Sequence, residues 1–233
     1  MTLAALGAVT NERTSTVSTV SLSVTDDVAA GTVIVVPFGG DNNSVNLSSV
    51  SDTQGNTWDS VYRTSGQGNS GTAWVTVTNP LDSSDTIRLI FNSSNDCTAR
   101  GYAFTGITGA ELVDGTKDYT ESATFSLTLN APSSGVMFAT FQFPFDYFTA
   151  SISGWTRYAD IQDGTDQQLL AYYKEVSSGN NTCSRTIGAT VGYLASGVVL
   201  PFGSSTTTTP APGTTTTPAP GVSAAGSRVL GFF

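Results

Sequence analysis

The chain has 233 residues, nine Lys and Arg against eighteen Asp and Glu, no histidine and a net charge of −9. Charged residues make up 12% of it, about half the roughly 25% of an ordinary soluble domain, and the composition offers no basic footprint for nucleic acid or an anionic membrane. Without histidine there is no Ser-His-Asp or Cys-His nucleophile system, and two cysteines alone make a poor zinc site.

The first thirteen residues lack the basic start and sustained apolar core of a signal peptide, and no stretch approaches the roughly 20 apolar residues of a transmembrane helix. Ser, Thr, Asn and Gly dominate from Thr14 to Ser205, a surface common in proteins that work outside cells. The combination points first to a virion protein released by lysis. Signal-less secretion, or a signal already removed, are the alternatives.

In chain order, alternating β-branched and aromatic residues bounded by Gly, Asp, Asn and Pro predict strands over 17–24, 32–38, 58–62, 73–78, 86–91 and 99–105. More follow over 125–129, 136–143, 156–159, 169–175, 186–191 and 193–200. No segment carries a sustained helical period with caps. The expected class is all-β.

An internal repeat runs through these strands. Ser21-Leu-Ser-Val24, Ala30-Gly31 and Val36-Pro37-Phe38 are echoed by Ser126-Leu-Thr-Leu129, Ser134-Gly135 and Phe143-Pro144-Phe145. Gly101-Tyr-Ala-Phe-Thr-Gly-Ile107 is echoed by Gly192-Tyr-Leu-Ala-Ser-Gly-Val198. Trp58 and Tyr62 answer to Trp155 and Tyr158, and the strand around Trp74 to the one around Tyr172. The body, residues 1–204, thus reads as a jelly-roll-like antiparallel β-sandwich of two duplicated half-units, about 17–107 and 124–200. The halves either close over one core or stand as two small sandwiches. The mixed residues of 108–124, read as a connection, and the shortness of each half favour one core.

Asp52-Thr-Gln-Gly-Asn-Thr-Trp58 is the most motif-like segment. A tight hairpin turn accounts for its Gly and Asn; the functional alternative makes Asp52 and Asn56 ligands for a cation or for sugar hydroxyls, with Trp58 a stacking platform. Around Pro144, Phe145, Tyr147 and Phe148 either fill the core or form an aromatic platform for a sugar face or a partner. Asp26-Asp27, Asp82 with Asp85, and Asp163-Gly-Thr-Asp166 all fall in expected turns. Asp160, Asp163 and Asp166 are the candidate Ca²⁺ ligands, since that ion takes clustered carboxylate and carbonyl oxygens, though not at EF-hand spacing. No carboxylate pair marks a glycosidase, and no other cofactor is expected. Cys97 and Cys183 form one bridge or remain two buried thiols.

The order of Ala30-Gly31, the 52–58 turn, a Trp74-bearing strand and Tyr102-Ala-Phe-Thr-Gly106 resembles β-sandwich domains of bacteriophage structural proteins and bacterial surface proteins. The resemblance spans most of 17–107 and, more weakly, 124–200. It implies a virion or surface structural role with glycan or cell-surface contact, and it carries over no catalytic residue.

After the body, Thr-Thr-Thr-Thr-Pro-Ala-Pro-Gly is written twice, over 206–221. Proline's fixed φ and missing donor make 205–221 an extended spacer. The apolar segment 222–233 ends in Arg228, Val229, Leu230, Gly231, Phe232 and Phe233, costly to leave in water and suited to docking on a partner or a neighbouring copy. The expectation is a non-enzymatic, homo-oligomeric virion surface protein: a decoration, spike or tail-associated head on a stalk, bound to other virion proteins or to copies of itself. A carbohydrate-binding adhesin at a cell surface is the alternative.

Overall fold

The computed structural model describes residues 2–11, 13–40, 45–65, 67–143, 151–162 and 167–203. Among the described residues lie thirteen strands: β1 (Ala4–Ala8), β2 (Arg13–Ser23), β3 (Val33–Gly40), β4 (Leu47–Asp52), β5 (Asp59–Ser65), β6 (Gly68–Thr76), β7 (Thr86–Ala99), β8 (Tyr102–Thr105), β9 (Val113–Ala131), β10 (Gly135–Phe143), β11 (Thr156–Gln162), β12 (Gln168–Val176) and β13 (Gly179–Pro201). The strand pairings are antiparallel. The fold is all-β, a jelly-roll-like antiparallel sandwich built from two duplicated half-units. The repeated Thr/Pro spacer and the segment after it, expected as stalk and anchor, lie outside the described residues.

The strands depart from the predicted list in several places, and β7 and β13 run through 92–98 and 179–185, where none was expected. Residues 108–124, read as a connection, are strand from Val113 onward. β1 (Ala-Ala-Leu-Gly-Ala) and β4 (Leu-Ser-Ser-Val-Ser-Asp) were not expected at all. β1 is largely exposed and β4 only partly buried, and each is poor in β-branched apolar residues; alternation is legible only where one face is buried.

The duplication is visible in most strands, though among the described residues β4 has no counterpart in the second half. One inner sheet runs β1-β8-β3-β6-β5 and the other β11-β12-β10-β13-β9, so β3 answers to β10, β6 to β12 and β5 to β11. The outer parts of β9 and β13 answer to β2 and β7. Trp58 and Trp155 stand one residue before β5 and β11, each packed on the outer core of its own half. Several expected anchors are displaced. Val36 answers to Ala139 rather than Phe143, and Tyr62, packed on the outer core, does not answer to Tyr158, which lies in the inter-sheet cluster. The Gly-Tyr anchor shifts as well. Tyr102 pairs with Val35 on β3, whereas on β13 the matching partner of Phe138 is Val198. Gly101 therefore answers to Gly197, not Gly192. Tyr102 faces the space between the sheets and Tyr193 the outer core, opposite sides that an odd slip of register interchanges.

The apolar core is divided in three. Val20, Leu22, Ile87 and Leu89 of an outer β2-β7-β4 layer meet Ile34, Val36 and Phe38 of β3. In the second half Phe125, Leu127 and Cys183 meet Met137, Phe141 and Tyr172. Between the two inner sheets lies a third cluster, with Val33, Val35, Trp74 and Phe104 on one side and Val136, Phe138, Leu169 and Leu200 on the other. Four layers result. Long strands link them: the end of β7 leaves the outer layer to pair with β3 at Phe38 to Gly40, and β9 and β13 run through both layers of their half, bending where their register shifts.

The two halves are tied together at their ends. The indole N–H of Trp74 donates to the Gly109 carbonyl at 3.1 Å, and Gly109 N–H donates to Thr76 at 2.6 Å. Ile107 and Phe202, just past β8 and β13, form a β-bridge across the junction. Buried hydroxyls close the inter-sheet space: Thr72 and Thr140 lie 2.8 Å apart, and Thr72 and Ser196 3.2 Å.

Candidate functional site

The 52–58 motif folds as an internal clamp. Asp52 Oδ1 accepts from the backbone N–H groups of Gln54 and Asn56, and Oδ2 accepts the Trp58 indole N–H at 2.7 Å. Gly55 sits at φ 73°, the left-handed turn position that Gly adopts freely. The buried Asn56 side chain accepts from Thr78 N–H, Thr78 Oγ1 and Asn79 N–H, and donates to the Asn79 carbonyl at 3.0 Å. Asp52, Asn56 and Trp58 thus spend their polar atoms on the protein itself, in a turn that is not the expected hairpin: it links the outer layer to the inner sheet, since β4 pairs with β7 and β5 with β6. Asp85 completes the region. It accepts from the Thr53 hydroxyl, the Gln54 amide and Asp82 N–H, and the Thr53 and Asp82 bonds hold its carboxyl below the usual range against a smaller opposing effect of burial.

The other expected positions divide. Asp160 takes 2.7 Å contact from Arg157 Nη1 and 2.8 Å from Gln168 Nε2, so it is engaged by a cation of the protein's own. Asp163 and Asp166 lie outside the described residues, as do Phe145, Tyr147, Phe148, Arg228, Val229, Leu230, Phe232 and Phe233. Among the described residues no group of three or more His, Cys, Asp or Glu is placed to hold a metal. Cys97 and Cys183 are not joined by a disulfide. The bridge does not form because Cys97 is buried in the first outer core and Cys183 in the second, with the two inner sheets between them. Burial pushes the Cys183 thiol well above its ordinary pKa.

One concave feature combines exposure with aromatic chemistry. At one seam between the inner sheets, β1 and the end of β11 enclose a groove of about 390 Å³ floored by Tyr102, Phe104, Tyr158 and Tyr173, with Arg157 at its rim. The rings meet edge to face: Tyr102 and Tyr158 centroids lie 5.0 Å apart, and Phe104 and Tyr173 5.3 Å. Tyr158 is the extra residue of a bulge between Arg157 and Ala159, which turns its ring into the inter-sheet space. Its hydroxyl is buried and lacks a well-aligned hydrogen bond. Burial first, then the Tyr102 phenol, raise its pKa, and the Thr140 hydroxyl offsets little of this. Beside the groove stands Leu6, 59% exposed, in the edge strand β1.

The duplication makes this groove an asymmetry. Its counterpart is the seam between β5 and β9, and that seam is closed: Arg63 of β5 pairs with Asp118 of β9, and the strands pack together. β5 has no bulge in its pairing with β6. Tyr102, Tyr158, Tyr173 and Arg157 were not singled out as a site from the sequence. They come from β8 in the first half and the paired strands β11 and β12 in the second, and the one local signal was the aromatic density of Tyr172-Tyr173 and of Gly101-Tyr-Ala-Phe104.

Comparison of the chain with protein-family models, curated proteins and solved structures returns no match.

Proposed function

We propose that the protein is a non-enzymatic structural and binding head of a virion surface, a decoration, spike or tail-associated subunit carried on the Thr/Pro spacer. The observation that carries this reading is the way the four-layered body uses its polar motifs. Asp52, Asn56, Asp85 and Asp160 are all committed to internal partners, and the chain then leaves the body at Gly203, whose N–H donates to Gly106, directly into the spacer. A rigid head on an extended stalk is suited to display, where many copies let weak contacts sum. Deleting 222–233 tests it: the shortened chain should be lost from purified particles while still folding, and undiminished incorporation would overturn the anchoring role.

A carbohydrate-binding adhesin is the second reading, and the tyrosine-lined groove favours it, because Tyr rings offer an apolar face and a polar edge to a sugar. Saturable binding on a glycan array, lost on Tyr173→Ala in a protein that still unfolds cooperatively, would support the adhesin over the virion head.

A further inference from the structure

The groove at β1 does not end at the aromatic floor. It shares Thr156 and Tyr173 with a shallower trough that passes Leu3, Lys174 and Glu175, and this shares Glu175 with a third depression bounded by Ser177 and Phe202. A continuous path therefore runs from the point where the body hands over to the spacer, at Phe202 and Gly203, to the aromatic floor beside an edge strand. Among the described residues β1 has a strand neighbour, β8, on one side alone. It carries an exposed leucine, the pattern that accepts an added strand.

We propose that in the free chain this path is the docking site of the chain's own segment 229–233, with Phe232 or Phe233 on the Tyr102–Tyr158–Tyr173 floor. Residues 204–228 supply the reach. Their 25 residues have a contour of at most about 80–90 Å, against a radius of gyration of about 16 Å for a body of this length. The chemistry matches in order. Arg228 precedes the apolar residues, and Glu175 precedes the aromatic floor along the trough. The side chains of Val229, Leu230, Phe232 and Phe233 carry no charge to desolvate in an apolar groove. Docking covers the apolar end until a partner draws it away, and the inference concerns the free chain, independently of any particle.

The test uses a Leu6→Cys reporter, which reacts selectively because Cys97 and Cys183 are buried. In the full chain, labelling of Cys at position 6 should be at least tenfold slower than in a chain ending at Gly221, and Phe232→Ser with Phe233→Ser in the full chain should match the shortened one. Amide exchange of β1 without the reporter should follow the same order. Equal rates in all three chains would overturn the proposal. So would protection that grows with protein concentration alongside a dimer in sedimentation, which would make a second copy the occupant. Protection by an added saccharide in a full chain otherwise open to label would also overturn it, and give the groove to the adhesin reading. Loss of particle incorporation bears only on the virion reading, so the two failures are separable.

Discussion

Asp52 and Trp58 are joined across a six-residue turn by an indole-to-carboxylate hydrogen bond of 2.7 Å. This contact holds the end of β4 against the start of β5 and seats the Trp58 ring on the first outer core. Asp52→Ala should cost about 1–3 kcal/mol, because it also leaves the Gln54 and Asn56 N–H groups without their acceptor. Trp58→Phe, which keeps an aromatic ring there, should cost less. Urea unfolding of both variants checks the order. A Trp58→Ala protein with unchanged stability but abolished glycan binding would return the residue to a ligand role.

The buried Thr72–Thr140 contact ties the two half-units across the inter-sheet space. Thr72→Val removes the partner of the buried Thr140 hydroxyl and should destabilise by about 1–2 kcal/mol; Thr140→Val leaves Thr72 its Ser196 contact and should cost less, and the double variant should lose less than the sum. A double-mutant cycle from denaturant midpoints measures the coupling. Strict additivity would show that the hydroxyls act independently.

Gly71 faces Phe38 directly on the neighbouring strand, and a Cβ there would fall inside the Phe38 ring. Gly71→Ala should therefore cost about 1–3 kcal/mol by overpacking. Phe38→Leu should be less damaging in the Gly71→Ala background than in the parent, since the smaller side chain vacates the contested space. Thermal unfolding of the four proteins is sufficient to see this.

The pH dependence has two limbs. Asp85 has a folded pKa below its unfolded value, so its contribution is present above about pH 4 and lost as pH falls through the folded value, where the unfolded state binds more protons. Asp85→Asn should lower stability at pH 7 and flatten the acid limb. Cys183, Tyr158 and Tyr172 are raised by burial. Their contribution is full below the unfolded values, about 8.5 for the thiol and 10 for the phenols, and declines as pH rises beyond them. Cys183→Ala should delay the first part of that decline. Urea midpoints from pH 3 to 11 test both limbs.

What the sequence revealed follows what burial leaves visible. Val33, Val35 and Val136 alternate with Ile34, Val36 and Met137 because both faces of β3 and β10 are buried, by different clusters, and these strands were found. Trp58 and Trp155 identified matching positions because each begins the same strand of its half. The Gly-Tyr dipeptides misled, since local identity at Gly101-Tyr102 and Gly192-Tyr193 carries no information about which face a strand presents. The groove was illegible for a different reason. Its floor depends on a single inserted residue, Tyr158, whose bulge appears only when β11 is paired with β12. β1 escaped notice because an exposed edge need not be β-branched.

The inter-sheet cluster draws on one face of each half, from corresponding strands. The molecule is in effect a dimer whose protomers share one covalent chain, joined through the residues around Gly109. A half produced alone would present Trp74 and Phe104, or Phe138 and Leu200, to water across an entire sheet. Its natural remedy is to find another half. Two separately made fragments, cut between Gly109 and Leu112, would have every reason to reassemble into the same four layers.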